Sequence, residues 1–285
     1  MIDFHTHPVM IKELINADEL LGSHVRNVFG LYFPPQPLDI FLHELDEAGV
    51  EKAVLLPIDC TTAHNCRIVS NEQVSELMNK HARFIGFASV DPACHGAPRM
   101  LERAVKQLGL KGLKLDPALQ QFYPNNKEIT YPVYQACAEL HIPVMIHCGM
   151  SWAMRGLEKY AHPLQLEEIA IDFPDLSIII PHFGWPWIHE TLMIAMKYKN
   201  IYIDTSVIYS GTPKEVLHHV LAEQIGIHVL ERSLPEQILF GSNYPRADIR
   251  RTVRGIRALG MSPALQDHVL HKNASKLLGL GENKS

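Results

Sequence analysis

The sequence predicts an α/β protein, a (β/α)8 TIM barrel that forms a single domain. Two observations lead to this fold. Eight short apolar runs recur along the 285 residues, and most of them are separated by amphipathic segments with apolar side chains three and four positions apart. Apolar runs without alternation are typical of parallel strands that are buried on both faces. The length also suits one barrel better than two domains joined by a linker.

The predicted strands follow one another with room for a helix after each. In chain order they are Met1–His5, Lys52–Pro57, Phe84–Val90, Gly112–Leu115, Pro143–His147, Leu176–Pro181, Ile201–Asp204 and Gln237–Phe240. Helical patterns cover Leu38 to Ala48, Pro132 to Leu140, Leu164 to Phe173, Trp187 to Met196 and Pro213 to Leu221. An open doubly wound sheet is the competing architecture. It would normally place a GxGxxG turn after the first strand, where this sequence has HTHP.

The longest connection, residues 10–37, follows the first strand. It contains PPQP at Pro34 to Pro37, which cannot continue a helix. We expect this segment to form an inserted loop or lid over the barrel mouth, within one barrel domain of residues 1–285. At the other end of the chain, Asn273 is predicted to cap the last helix and Gly279 to terminate it.

Composition and charge exclude several classes of protein. The 26 basic and 31 acidic residues give a net charge of −5, whereas a nucleic-acid-binding protein would show a basic excess. The basic run from Arg246 to Arg254 has the spacing of a solvated helix face. MIDFHTH lacks the features of a signal peptide, and no apolar stretch is long enough to span a membrane. The five scattered cysteines predict reduced thiols, so we expect a cytoplasmic protein that binds neither nucleic acid nor membranes.

Polar side chains gather at the carboxyl ends of the predicted strands, where a barrel builds its active site. His5 and His7 close the first strand, and their i and i+2 positions turn both imidazoles the same way. His147 ends the fifth strand. A single histidine in such a place is more often a hydrogen-bonded core residue, but three imidazoles with one open position form a catalytic Zn²⁺ site. The sequence therefore predicts a metal centre on these three residues.

Three further strand ends carry candidate catalytic residues. His182 follows the sixth strand, Asp204 ends the seventh and Asn243 follows the eighth. His182 is the first candidate for a general base, because the ordinary pKa of imidazole is about 6.5. Asp204 is the second candidate, and a buried cap for the loop after the seventh strand is its equal alternative.

Six segments together resemble the amidohydrolase superfamily: MIDFHTHP, PVMIHCG, IIIPHFG, IYIDTS, ILFGSNYPR and NASKLLGL. They look most like the branch that includes aminocarboxymuconate-semialdehyde decarboxylase, resorcylate decarboxylases and related hydrolases and hydratases. The resemblance runs from Met1 to about Leu280. It implies one divalent metal ion on His5, His7 and His147, with zinc expected and manganese as the alternative. It also implies that His182 hydrogen-bonds the activated water or the substrate, and that the protein is a homodimer.

The end of the eighth strand departs from the family pattern. The resemblance implies an aspartate there that binds the metal and shuttles a proton, in FGSDYP, and this chain has Asn243 in FGSNYP. An amide oxygen can serve as a neutral metal ligand, but it cannot take a proton from water. Asn243 is therefore predicted to be a fourth ligand, and the proton has to leave through His182 or, second, Asp204.

Lys114, Arg155 and Trp152 are the candidate substrate contacts. Lys114 lies in the predicted fourth strand, where it could pair with a substrate carboxylate. Its alternatives are a carbamylated bridge between two metal ions, as in other branches, and an amine that reaches solvent. Arg155 could hold a carboxylate in a bidentate pair, and Trp152 could wall a flat substrate or simply pack.

Four functions remain open from the sequence. The preferred one is a metal-dependent hydrolase in which activated water attacks a small anionic molecule, carboxylated or acyl. The second is a non-oxidative decarboxylase, a carboxy-lyase of the same branch, which the missing aspartate disfavours because that residue usually handles its proton. The third is a metal-binding pseudoenzyme. The fourth, a metal-dependent deoxyribonuclease with Asp91 as an added ligand, conflicts with the acidic charge.

Overall fold

Eight parallel strands form the centre of the computed structural model, which describes residues 1–206, 209 and 211–281. All eight predicted strands are present, most of them shorter than the apolar runs. They are β1 (Ile2–Thr6), β2 (Lys52–Leu55), β3 (Phe84–Gly86), β4 (Leu113–Leu115), β5 (Val144–Ile146), β6 (Ile178–Ile180), β7 (Ile201–Asp204) and β8 (Ile238–Leu239).

The barrel closes at two seams. Strands β1 to β3 form one hydrogen-bonded set, β4 to β8 form another, and all pairs within the sets are parallel. Between β3 and β4, the Lys114 amide donates to the Ala88 carbonyl at 2.7 Å. Between β8 and β1, the Phe4 amide donates to the Phe240 carbonyl at 2.7 Å. The predicted (β/α)8 barrel is therefore confirmed.

A cluster of large apolar side chains fills the barrel interior. Its fully buried members include Phe4, Val54, Phe87, Met145, Ile179 and Leu239. Phe4 and Phe87 meet edge to face, with their ring centroids 5.6 Å apart. Because these side chains leave no pore, the polar residues of the strands collect at the carboxyl ends, above the apolar layer.

Helices surround the strands, and some of them begin with a side-chain cap. Ser70 and Gln73, for example, form a capping box at the start of one of them. The main helices are Leu38–Ala48, Asn71–Lys80, Ala97–Leu108, Tyr131–Glu139, Leu166–Asp172, Ile188–Lys197, Pro213–Leu217, Ile227–Ser233 and Ile249–Arg257. Shorter turns of helix are Thr61–His64, Pro117–Gln120, Glu158–Tyr160, Pro163–Gln165 and Pro181–Gly184, and the π-helical His218–Ile225 continues the helix Pro213–Leu217. No helix in residues 1–206 and 211–281 is long and apolar enough to cross a membrane.

The C-terminal helix differs from the sequence prediction. It runs through Pro263–Asp267, His268–Lys272 and Asn273–Leu277 without a break, and Ser262 is its cap. Asn273 is therefore not an N-cap. Its buried side-chain amide donates to the carbonyls of Pro235 and Ile238, both at 2.8 Å, and so attaches this helix to β8. Gly279 does follow the helix with a positive φ of 62°.

Two insertions lie at the carboxyl end of the barrel. Residues 10–37 contain three helical turns, Lys12–Ala17, Leu21–His24 and the π-helical Val25–Phe29, and a bridge between Ile11 and Gln36 ties the ends of this segment together. The second insertion, which the sequence patterns did not predict, follows β2. It is an antiparallel hairpin that pairs Ile58–Cys60 with Cys66–Ile68.

Candidate metal centre

His5 and His7 approach each other at the end of β1. The strand is irregular between Asp3 and Thr6, which allows Phe4 to join the interior cluster while both histidines face the barrel mouth. The His5 Nε2 and His7 Nε2 atoms are 3.1 Å apart. On the far side of each ring, His5 Nδ1 bonds Asp204 Oδ2 at 2.7 Å and His7 Nδ1 bonds the Leu56 carbonyl at 2.9 Å.

These partners fix the tautomer of both rings. A carboxylate and a carbonyl oxygen can only accept, so both Nδ1 atoms carry the proton and donate it. Both Nε2 atoms then hold lone pairs that face each other at 3.1 Å. Two facing lone pairs repel each other, whereas a cation placed between them would be attracted and coordinated by both. Metal-binding histidines are commonly anchored in this way by an outer hydrogen bond.

His147 and His182 complete a ring of four imidazoles. His147 Nε2 is buried without a hydrogen-bond partner, and a backbone bond with Gly149 holds the other side of its ring. His182 Nδ1 donates to the Ser206 carbonyl at 2.9 Å, which leaves its Nε2 as a lone pair too. The His182 ring centroid lies 4.9 Å from that of His5 and 5.0 Å from that of His147.

Asp204 connects the loops after β6 and β7 to β1. Its Oδ1 accepts from the backbone amides of His182 at 2.9 Å and Ser206 at 3.0 Å, and from the Ser206 hydroxyl. Its Oδ2 accepts from His5. This buried carboxylate therefore both caps the loop after β7, as one alternative predicted, and orients His5.

A second cation geometry can be drawn, because ligand atoms of His5, His182 and Asp204 lie within 4.8 Å of one another. We prefer the Nε2 side of the rings. The His5 Nδ1 and Asp204 Oδ2 atoms already bond each other at 2.7 Å, whereas the Nε2 atoms of His5 and His7 face each other and that of His147 has no partner. The Nε2 set fits a divalent metal ion.

Asn243 reaches the same site from the loop after β8. Its backbone amide donates to the His5 carbonyl at 2.9 Å, and its φ is 61°, an unusual conformation that asparagine tolerates better than most residues. The side chain is buried and lines the cavity beside His7 and His147. It can offer a neutral oxygen there, but no base.

Burial keeps the four histidines in the protonation state that a metal requires. It is the largest cause that lowers the pKa of His5, His7 and His182 well below 6.5, and it also lowers that of His147. The ammonium group of Lys114 lowers all four further. The imidazoles are therefore neutral at pH 7 and can act as ligands without first losing a proton.

The cavity above the histidines is small, about 30 Å³. That is enough for an ion or a water molecule, whereas sites for organic ligands usually measure about 300–1,000 Å³. Three histidines and Asn243 line this cavity, and the other side chains of the lining include Phe29, Lys114, Asp116, Trp152, Tyr209 and Arg246. An organic substrate can enter only after some of the lining side chains move.

The three predicted substrate contacts lie in different surroundings. Lys114 is 1% exposed and lines the cavity, so its amine does not reach solvent; burial lowers its pKa against the attraction of Asp116. Trp152 lines the outer part of the cavity and is 43% exposed. Arg155 is exposed and is not among the described residues that line the cavity.

Arg246 is a cavity residue that the sequence reasoning missed. The prediction of a solvated helix face for Arg246 to Arg254 is wrong at its first residue, because the helix begins only at Ile249. The guanidinium donates to the carbonyls of Phe29 at 2.6 Å and Gly30 at 3.4 Å, and lies 4.5 Å from the Phe29 ring centroid. Burial lowers its pKa to about 10, so it stays charged at pH 7. Its position at the end of ILFGSNYPR could have identified it.

The chain belongs to the amidohydrolase family: the family model Amidohydro_2, described as Amidohydrolase, matches residues 2–280. It is thus an enzyme of the amidohydrolase superfamily. A curated relative, 2-keto-4-carboxy-3-hexenedioate hydratase of Sphingobium sp. strain SYK-6, is 29% identical over 184 residues, 55% of this chain and 48% of that protein. The chain therefore spans about half the length of that relative.

Two solved structures share the fold at low identity. A 5-carboxyvanillate decarboxylase from Novosphingobium aromaticivorans, complexed with manganese and 4-hydroxy-3-methoxy-5-nitrobenzoic acid, is 17% identical with a TM-score of 0.67, covering 98% of this chain and 95% of that chain. A probable 2-pyrone-4,6-dicarboxylic acid hydrolase from Acinetobacter baumannii, with citric acid bound, is also 17% identical, with a TM-score of 0.68 and 98% of both chains covered. These likenesses extend the fold assignment to nearly the whole chain.

Proposed function

We propose that this protein is a metal-dependent hydrolase that acts on a small anionic molecule, carboxylated or acyl. One divalent ion, zinc first and manganese as the alternative, is held by the Nε2 atoms of His5, His7 and His147, with the Asn243 amide oxygen as fourth ligand. One observation carries the proposal: two lone pairs face each other at 3.1 Å beside a third buried nitrogen that has no partner.

A divalent ion held by these residues would supply a Lewis acid that acidifies water and polarises a carbonyl group. His182 is the residue that we assign as the acceptor of the proton. Its Nδ1–H is held by the Ser206 carbonyl, so the free lone pair at Nε2 is on the cavity side of the ring. The low pKa of His182 keeps its imidazole neutral before the reaction, so that it is free to accept a proton. The Asp204 carboxylate stabilises the imidazolium that then forms. Asn243 takes no proton, which leaves His182 as the acceptor.

Two cationic side chains support an anionic substrate. The buried Lys114 and the partly buried Arg246 line the cavity, and Asp116 contributes a carboxylate to the same lining. With neutral histidines and a divalent ion, the cavity is strongly positive. The names of the similar proteins point the same way, since their substrates or bound acids are carboxylates. We assign a substrate carboxylate to Arg246 and Lys114, and we interpret residues 10–37 as a lid that moves to admit it.

A carboxy-lyase is the second candidate, favoured by the likeness to the 5-carboxyvanillate decarboxylase. It requires an acid that protonates the carbon which loses carbon dioxide. Asn243 cannot supply that proton, and the low pKa of His182 makes this imidazole a poor acid at rest. Hydrolysis is therefore preferred. A cytoplasmic location, a homodimer and no binding of nucleic acid or membranes complete the proposal.

Metal content by mass spectrometry is the first experiment, on protein purified without a chelator or a metal-affinity column. We expect about one equivalent of divalent metal per chain. Two equivalents would instead support the alternative in which a carbamylated Lys114 bridges two metal ions. No metal, even after reconstitution, would overturn the proposal and favour a pseudoenzyme.

A screen of carboxylated lactones, amides and thioesters in ¹⁸O-labelled water is the second experiment. Label in the product without release of carbon dioxide supports hydrolysis, and carbon dioxide release supports the carboxy-lyase instead. For any substrate found, Arg246→Gln should raise KM about 10–100-fold with a smaller effect on kcat, since it removes a charged hydrogen-bond partner. The exposed Arg155→Gln is the matched control and should leave KM unchanged. Equal effects of the two variants would remove Arg246 from the substrate site.

A further inference from the structure

Two cysteines face each other across the hairpin that follows β2. Cys60 and Cys66 are directly paired in the antiparallel register, so their side chains lie on the same face of the ribbon. Residues paired in this way have β-carbons about 4.5–5.5 Å apart, close to the separation that a disulfide spans. The two thiols are reduced in this structure, and the helical turn Thr61–His64 connects the strands that carry them.

The two thiols also interact with each other. The Cys60 thiol is the largest cause that lowers the pKa of Cys66, against burial, and Cys66 together with burial raises the pKa of Cys60. Cys66 is therefore the better nucleophile of the pair and Cys60 the proton-bearing partner.

The two sulfurs differ in access as well. Cys60 is fully buried, whereas Cys66 is 6% exposed and lines a surface cavity of about 360 Å³ together with His24, Arg67 and Asp18. Arg67 pairs with Asp59 at 3.1 Å and Asp18 adds a carboxylate, so the lining carries charges of both signs. A cavity of this size and charge suits a small molecule that carries both amino and carboxylate groups.

We propose that Cys66 and Cys60 form a thiol–disulfide exchange site for a low-molecular-weight disulfide of the glutathione type, which carries both amino and carboxylate groups. The Cys66 thiolate attacks one sulfur of the disulfide, forms a mixed disulfide and releases the first small thiol. The Cys60 sulfur then attacks the Cys66 sulfur, and its proton passes to the second small thiol as that leaves. The chain loses two electrons and two protons, and the small disulfide is reduced to two thiols.

Oxidised glutathione is the probe, applied to the full-length native protein, with detection by peptide mass spectrometry. Trypsin releases residues 53–67 as one peptide that carries both cysteines and no other, and residues 84–99 as a peptide that carries only Cys94. We expect the first peptide to lose the mass of two hydrogen atoms and to regain it with a reductant. The single thiol in the second peptide can form only a mixed disulfide. Two free thiols in residues 53–67 while Cys94 is glutathionylated would overturn the proposal, because the probe would have reached the protein but not the pair.

Two variants separate the steps. Cys60→Ala removes the resolving thiol, so glutathione should remain attached to Cys66 as a stable mixed disulfide. Cys66→Ala removes the attacking thiol, so the buried Cys60 should stay free. Modification of Cys60 in Cys66→Ala, at the rate seen for Cys66 in Cys60→Ala, would overturn the assigned order. Circular dichroism confirms that each variant is folded before the comparison.

Discussion

The Oδ2 atom of Asp204 accepts a hydrogen bond from His5 Nδ1 at 2.7 Å, although 199 positions separate the two residues in the sequence. The contact crosses from β7 to β1, past the end of β8. It sets the tautomer of His5 and directs its Nε2 toward His7. The carboxylate therefore determines how the proposed ligands are presented, without being one of them.

Asp204→Asn should weaken metal binding about 10–100-fold while the fold is retained, the usual effect of altering an outer partner of a metal-binding histidine. The amide can keep one acceptor for the backbone of the loop, but it loses the charge that orients His5. Competition with a chelator measures the affinity. The buried Asp91, which bonds Thr62 and Ala93 outside the site, provides Asp91→Asn as the control. Equal affinities in Asp204→Asn and the unchanged protein would contradict the orienting contact.

His7→Ala should reduce the metal content from about one equivalent to nearly none, because it removes one of three imidazole ligands. The metal-free variant should lose about 1–3 kcal/mol of unfolding free energy, since the buried Leu56 carbonyl loses its donor. Elemental analysis and urea denaturation measure the two effects. His43→Ala, on the exposed face of Leu38–Ala48, should change neither. Full metal content in His7→Ala would remove His7 from the ligand set.

Asn243→Asp should bind divalent metal at least about tenfold more tightly at pH 7. A unit charge about 4 Å from a cation contributes a few kcal/mol at an effective dielectric of about 20, and burial of the carboxylate cancels only part of it. Asn65→Asp is the control, since Asn65 is exposed and also has a positive φ, of 52°. For any substrate found, the pH–rate profile should shift as well. An unchanged affinity and an identical profile would place residue 243 away from the metal.

The metal-free protein should lose stability as the pH falls below 6.5. The four buried histidines have lowered pKa values, so the unfolded chain takes up protons there that the folded chain does not. Asp3 acts in the opposite direction, because burial raises its pKa to about 7 and it is protonated first in the folded state. The unfolded chain therefore binds at most about three protons more than the folded chain, four on the histidines less one on Asp3. The unfolding free energy then decreases by at most about 4 kcal/mol for each pH unit.

Urea denaturation at pH 6.5 and 5.5 measures this slope, and His182→Gln should reduce it by about 1.4 kcal/mol per pH unit because one titrating ring is removed. An unfolding free energy that stays constant, or that increases as the pH falls, would mean that the histidines are not held neutral in the folded chain.

The strand ends were predictable because their signals are local. A buried apolar run followed by HTH, IHCG or IPHFG places each histidine at the barrel mouth without knowledge of its neighbours. The fold was predictable for the same reason, because each strand and each helix of the alternating pattern has a local sequence signal.

The partners of these histidines were not predictable. Whether His7 bonds the Leu56 carbonyl, or His182 that of Ser206, depends on backbone oxygens that no side-chain pattern reveals. Loop residues were equally hard to place. Arg246 lines the cavity from the loop that precedes the helix Ile249–Arg257, whereas Arg155, in the loop after β5, does not line it.

Arg246 also binds the segment that closes the cavity. Its guanidinium holds the carbonyls of Phe29 and Gly30, and Gly30 lies so close to Trp152 that an added β-carbon would approach the Trp152 carbonyl to 2.7 Å. These two bonds use two of the five N–H donors of the guanidinium and leave three for a carboxylate. Because the cavity is small, a ligand needs the open form, and its measured affinity is the intrinsic affinity reduced by the fraction of molecules that are open. The contacts that hold Phe29 and Gly30 in place thus lower the apparent affinity by an intramolecular effect, which dilution of the protein does not change.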